Sequence, residues 1–117
     1  MSANKKEEIA RLNDQFRRAD NEDIKGTFHV TSGLLEHAIN AGSSPLHVFV
    51  SVGMYQDFSE ENDPYGERDF GVFDFEGERC YWKIDYFSDD SMTYGANDPA
   101  DLTQCYRVLT IMLAAEY

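Results

Sequence analysis

The sequence predicts an α+β fold: a mostly antiparallel sheet of about four strands, with N- and C-terminal helices packed on one face. Three observations predict it. CYWKIDYF (80–87) alternates strictly and follows a tight Glu76-Gly77 turn, which marks a hairpin. Residues near the N-terminus repeat apolar positions at helical spacing, as do residues near the C-terminus. Hairpin strands between terminal helices make a two-layer arrangement over residues 1–117, a length that suits one domain.

The elements follow in order. Asn4 is placed to cap the first helix, with Glu7 three residues later as in a capping box. Ile9, Leu12, Phe16 and Ala19 form its apolar stripe, and acids at Asp20–Asp23 oppose its continuation. Thr27–Thr31 alternates around Phe28 and Val30 as a half-buried strand, and Ser32–Asn40 reads as a short helix. After the connector Ala41–Pro45, Leu46–Val52 reads as a strand, with Leu46, Val48, Val50 and Val52 on one face. Asp69–Phe75 and Glu78–Phe87 form the hairpin. In NDPAD (97–101), Asp98 is an N-cap, Pro99 fits the first helical position, and Leu102, Cys105, Tyr106, Leu109, Met112 and Leu113 give a wide stripe. A helix is therefore expected to run to about Glu116. The predicted core is Phe28, Val30, Val48, Val50, Trp82, Ile84, Leu109 and Leu113.

ARLNDQFRR (10–18), NDPYGERDFG (62–71), CYWKIDYF (80–87) and DPADLTQCYRVLTIMLAAEY (98–117) together resemble a family of small, acidic bacterial proteins of unknown function. Members of that family are common in proteobacteria and often lie on plasmids or other mobile elements. The resemblance spans nearly the whole chain. It implies a compact, cytoplasmic, single-domain protein with an accessory role, and it brings no catalytic residue with it.

Charge narrows the function classes. Twenty-two acids against ten lysines and arginines give a net charge of −12. Most of the excess sits in residues 57–90, which hold twelve acids and three bases. Such a surface repels nucleic acid and anionic lipid, so neither direct nucleic-acid binding nor membrane binding is expected. MSANKKEEIARL carries charge where a secretory signal needs an apolar run, which points to the cytoplasm. Cys80 and Cys105 fit no disulfide framework or CxxC site and fall on apolar faces, where thiols are inert.

No cofactor motif is present, neither a P-loop nor GxGxxG nor GxSxG. DFSEENDPYGERD (57–69) offers hard oxygen ligands but lacks EF-hand spacing. His29 and His47 would meet across paired strands, yet no third ligand accompanies them. Asp74 and Asp85 are the best-placed carboxyls for acid–base work, but Arg79 and Lys83 offer them partners across the ladder.

The remaining class is protein binding. Asp63-Pro64-Tyr65-Gly66 reads as a β-turn that fixes the acidic loop at a sheet edge. The expected partner-binding set is Asp57, Glu60, Glu61, Asp63, Tyr65, Glu67, Asp69, Asp74, Glu76, Glu78, Asp89 and Asp90. Its expected partner is a basic protein surface, sharpest in the form of a nucleic-acid mimic that inhibits a defence nuclease or nucleoprotein complex, of anti-CRISPR or anti-restriction type. On that reading, reversing Glu60, Glu61, Asp63 and Glu67 to lysine abolishes binding and leaves the melting temperature almost unchanged. A cation-dependent enzyme or sensor, and a structural homodimer built on a strand edge, are the alternatives.

Overall fold

A computed structural model of the chain describes the backbone of residues 2–117 and the side chains of residues 5–117. The order is α1 (Ser2–Arg18), β1 (Gly26–Val30), α2 (Ser32–Asn40), α3 (Pro45–Gly53), β2 (Phe70–Phe75), β3 (Glu78–Phe87) and β4 (Tyr106–Leu113). Short 3-10 turns at Leu102–Gln104 and Ala114–Glu116 flank β4. One four-stranded mixed sheet has the order β1-β4-β3-β2, with β1 parallel to β4 and the other two pairs antiparallel. The α+β class holds, and so do α1, β1, α2 and the hairpin.

Two expected elements differ. Residues 45–53 form helix α3, not a strand. Ser44 accepts the Leu46 N–H as N-cap and Pro45 occupies the first turn, so Ser44-Pro45 is a helix start rather than a connector. The β-branched run favours a strand by propensity, but the helix buries Val48 and Val52 one turn apart. Val50, expected in the core, is 48% exposed as a result. His47 consequently lies on a helix and cannot meet His29 across a ladder.

The C-terminal helix is also absent: residues 106–113 form β4, paired on both sides. Arg107, Leu109 and Ile111 are buried with period two, in step with Cys105 just before the strand, and Met112 is buried on the other face. The arginine at an inward position hides that period from the sequence. Asp98, the expected N-cap, serves a turn instead, and Asp101 caps the 3-10 turn. Asp98 accepts from Ala100 N, and Asp101 accepts from Thr103 N at the 3-10 turn.

At the N-terminus α1 already includes Asn4, so the expected cap falls inside the helix, and the Asn4 side chain lies outside the described residues. The helix closes in a Schellman motif: Ala19 N–H donates to Phe16 O and Asp20 N–H to Gln15 O, with Ala19 at φ 56.

Leu12 and Phe16 of α1, Leu34 and Ala38 of α2, and Val48 and Val52 of α3 share one core cluster with Trp82, Ile84, Leu109 and Ile111. Gly71 lies opposite Trp82, and a Cβ there would come within 2.2 Å of the indole nitrogen. Only glycine lets β2 pass beside that ring.

A polar group also lies inside the core. Arg107 is fully buried; its Nε donates to Asn13 Oδ1 (2.7 Å), an Nη to Pro99 O (2.7 Å), and its guanidinium stands 5.3 Å from the Tyr86 ring centroid. Asn13, likewise buried, donates to Tyr86 Oη and to Glu67 O. One asparagine thus joins α1 to β3, β4 and the acidic loop. Asn13→Ala strands a buried guanidinium donor, and a loss of about 2–4 kcal/mol in denaturant unfolding is expected. A loss within experimental error would contradict the linkage.

Candidate functional site

The acidic loop between α3 and β2 is ordered by its own chemistry. Gly66 N–H donates to Asp63 O, which closes the expected Asp63-Pro64-Tyr65-Gly66 turn, and Gly66 takes φ +70. Asp63 N–H donates to Ser59 O, and Ser59 N–H to the Asn62 side chain. Arg68 N–H donates to Asp63 Oδ1 at 2.9 Å. At the loop's base, the Tyr55 hydroxyl donates to Asp57 O and accepts from Asn62 and from Val72 N–H on β2. That last bond satisfies an N–H on an edge strand and lays the loop along it.

A cation–aromatic stack fastens this loop to α1. The Arg17 guanidinium is fully buried, 4.9 Å from the Trp82 ring centroid and 5.3 Å from that of Phe58. Arg68 stands 5.3 Å from Phe58. Asp14 bridges the two cations, at 2.5 Å from Arg17 and 2.7 Å from Arg68. Arg17 also donates to Val52 O and Tyr55 O at the end of α3. Burial pushes the Arg17 pKa down, and Asp14 opposes that shift. Sequence reasoning expects Arg17 to pair with one of the chain's own acids, as it does with Asp14, but misses its burial and the roles of Asn13, Asp14 and Arg107. Arg17 occupies a helix position beside the apolar stripe, but nothing local marks it as buried.

The twelve expected partner-binding residues separate into groups. Asp57, Glu60 and Glu61 are exposed on the loop, and Tyr65 at the turn is 74% exposed. Asp63 holds the turn. Glu67 and Asp69 turn inward, where the Tyr86 hydroxyl reaches both carboxylates at 3.5 and 3.4 Å. Asp74 is exposed on β2 and pairs with Arg79 at 3.6 Å, as the ladder predicts; Lys83 pairs with Asp85 at 3.1 Å. Glu76 and Glu78 are exposed at the hairpin end, while Asp89 and Asp90 are exposed beyond the other end of β3. A ten-residue strand separates those two pairs by about 30 Å. The carboxylates therefore do not form one row. Reversing Asp63 or Glu67 would also disturb the fold, unlike reversing Glu60 or Glu61.

Burial, then repulsion from Asp69, raises the Glu67 pKa; burial also leads the raised pKa of Asp69. Burial raises Tyr86 as well. Cys80 is pushed up to about 11 and Cys105 also upward, both chiefly by burial, so neither thiol is a ready nucleophile. Among the described residues no three His, Cys, Asp or Glu side chains gather as a metal-ligating group, and no helix is long and apolar enough to cross a membrane.

A family model described as a protein of unknown function (DUF3768) matches residues 30–116, well over half of the sequence. The chain belongs to the DUF3768 family. No match is found among curated proteins or among solved structures. The matched DUF3768 span holds the acidic loop, the hairpin and Arg107, whereas Asn13, Asp14 and Arg17 of α1 precede it.

Two predictions follow from this geometry. Asp14→Ala leaves the buried Arg17 without its countercharge, and unfolding experiments are expected to show a loss of about 3–5 kcal/mol; a loss below about 1 kcal/mol would remove Asp14 from the anchor. The second concerns Glu67, whose folded pKa lies above the ordinary 4.5. The folded chain holds more protons than the unfolded one in that window, so this group's contribution falls as pH rises through it. Glu67→Gln is expected to unfold at higher temperature than the parent chain at pH 7, with the advantage shrinking towards pH 5. Growth of the advantage on acidification would contradict the assignment.

Proposed function

We propose that the protein is a non-enzymatic binding module whose acidic loop seats on the basic surface of a nucleic-acid-handling protein. One observation carries the reading: Asp57, Glu60, Glu61 and Tyr65 are exposed on a loop whose backbone is held by internal hydrogen bonds and the Arg17–Phe58–Arg68 stack. A loop kept in water only for solubility needs no such anchoring. A preformed loop loses little conformational entropy on docking. The nine excess charges of residues 57–90 attract a basic surface at long range. Tyr65 supplies a rigid apolar contact amid the carboxylates, a usual hot-spot composition. In its narrower form the loop takes the place of nucleic-acid phosphates and so inhibits its partner.

The test is a pull-down at low and high salt, comparing the native chain with Glu60→Lys/Glu61→Lys/Tyr65→Ala. These side chains are exposed, so the variant's stability is expected to stay within about 0.5 kcal/mol per site. Capture of nucleic-acid-binding proteins at low salt is expected, reduced at least about tenfold by the variant and competed by added duplex DNA. An unchanged captured set with the variant would overturn the proposal. Capture that DNA fails to compete would overturn the narrower, mimic form.

A further inference from the structure

Cations are scarce in this chain, yet three of its ten lysines and arginines line one pocket. Arg17, Arg18 and Arg68 surround a space of about 330 Å³ with Asp14, Gln56 and Phe58. Asp14 is the one carboxylate in that lining, and its two oxygens already serve Arg17 and Arg68. The lining therefore carries a local excess of positive charge inside a molecule of net charge −12. Arg18 makes one long bond, Nε to Gly53 O at 3.4 Å. Among the described residues its terminal nitrogens, the Gln56 amide and Arg68 Nε donate to no protein acceptor. Arg17 Nε is buried without a partner as well.

This pocket opens beside a larger apolar trough of about 660 Å³, and the two share Arg17, Arg18 and Gln56. Leu46, Val50 and Met54 recur every fourth residue along the outer side of α3 and its C-cap and are 65%, 48% and 74% exposed. Phe28 and Phe49 complete the apolar wall, and no carboxylate lines the trough. α3 lies this close to α1 because Gly53 has no Cβ, which would come within 3.2 Å of Arg17 O.

We propose that the arginine pocket and the apolar trough together bind one small amphipathic anion, an oxyanion head on an aliphatic body. Charge complementarity sets the orientation: the head meets Arg18 and Arg68, whose guanidinium forks suit carboxylate or phosphate, and the body lies along Leu46, Val50 and Met54. Both volumes fall in the range of small-molecule sites. A second copy docked through the same face would oppose arginine to arginine across a two-fold axis. The site takes Phe58 and Arg68 from the acidic loop but none of its exposed carboxylates nor Tyr65, and does not depend on the partner-binding reading of that loop.

Calorimetric titration of the full chain tests this, using decanoate, decyl phosphate, decanol and inorganic phosphate, with the decyl compounds below their micelle concentration. Saturable binding of one decyl anion per chain is expected, at least about tenfold tighter than decanol or phosphate. The tighter of the two anions identifies the head group. Arg18→Gln and Val50→Asp, both at exposed positions, are each expected to weaken binding at least about tenfold while melting with the parent. No saturable binding of either decyl anion, equal binding of decanol or phosphate, or an unchanged affinity in Arg18→Gln would overturn the proposal.

Discussion

The buried Arg17 guanidinium is the constraint on which the loop and its surroundings depend. A guanidinium stays charged, and removing it from water costs several kcal/mol unless each side of it is answered. Here Asp14 answers its charge, Val52 O and Tyr55 O take donors of one terminal nitrogen, and Phe58 and Trp82 cover its faces, while Nε alone is left without a protein partner. These partners come from α1, the end of α3, the acidic loop and β3. Meeting the demands of one cation therefore fixes four parts of the chain relative to one another. Arg107 does the same one turn earlier along α1, through Asn13, Pro99 and Tyr86.

The two arginines account for how so acidic a molecule sustains a packed core beside a charged loop. Arg17 and Arg68 neutralise Asp14 at the loop's base, and Tyr86 faces the two inward carboxylates, Glu67 and Asp69. Most of the remaining carboxylates are exposed to water, where their mutual repulsion is screened. Electrostatic cost is thus concentrated at Glu67 and Asp69, and surface charge is left available at Asp57, Glu60 and Glu61. Arg18, which pairs with no carboxylate among the described residues, stands beside the apolar row of α3.

Much of the fold was legible in the sequence where one signal dominated. The hairpin followed from strict alternation in CYWKIDYF, and the Asp63–Gly66 turn from the positions of its proline and glycine. The two misread elements each carried competing signals. LHVFVSV is β-branched and alternating, but Ser44-Pro45 starts a helix and the packing of Val48 and Val52 decides the matter. YRVLTIML carries apolar residues compatible with both periods, and the buried Arg107 broke the alternation that marks a strand. The exposed part of the acidic loop was readable from composition. Its anchors were not, because Asp14 meets Arg68 across 54 positions of sequence, and a charged residue on a helix gives no local sign that its partner is distant.

Amide hydrogen exchange of the loop tests the central claim most directly. If the Arg17 stack holds residues 57–69 in one conformation, the amides of Asp63, Gly66 and Arg68, each bonded within the loop, exchange well below random-coil rates in the native chain. In Arg17→Met they are then expected to lose that protection while the paired amides of β3 and β4 keep theirs. Random-coil exchange of these amides in the native chain, or equal protection in Arg17→Met, would contradict the account.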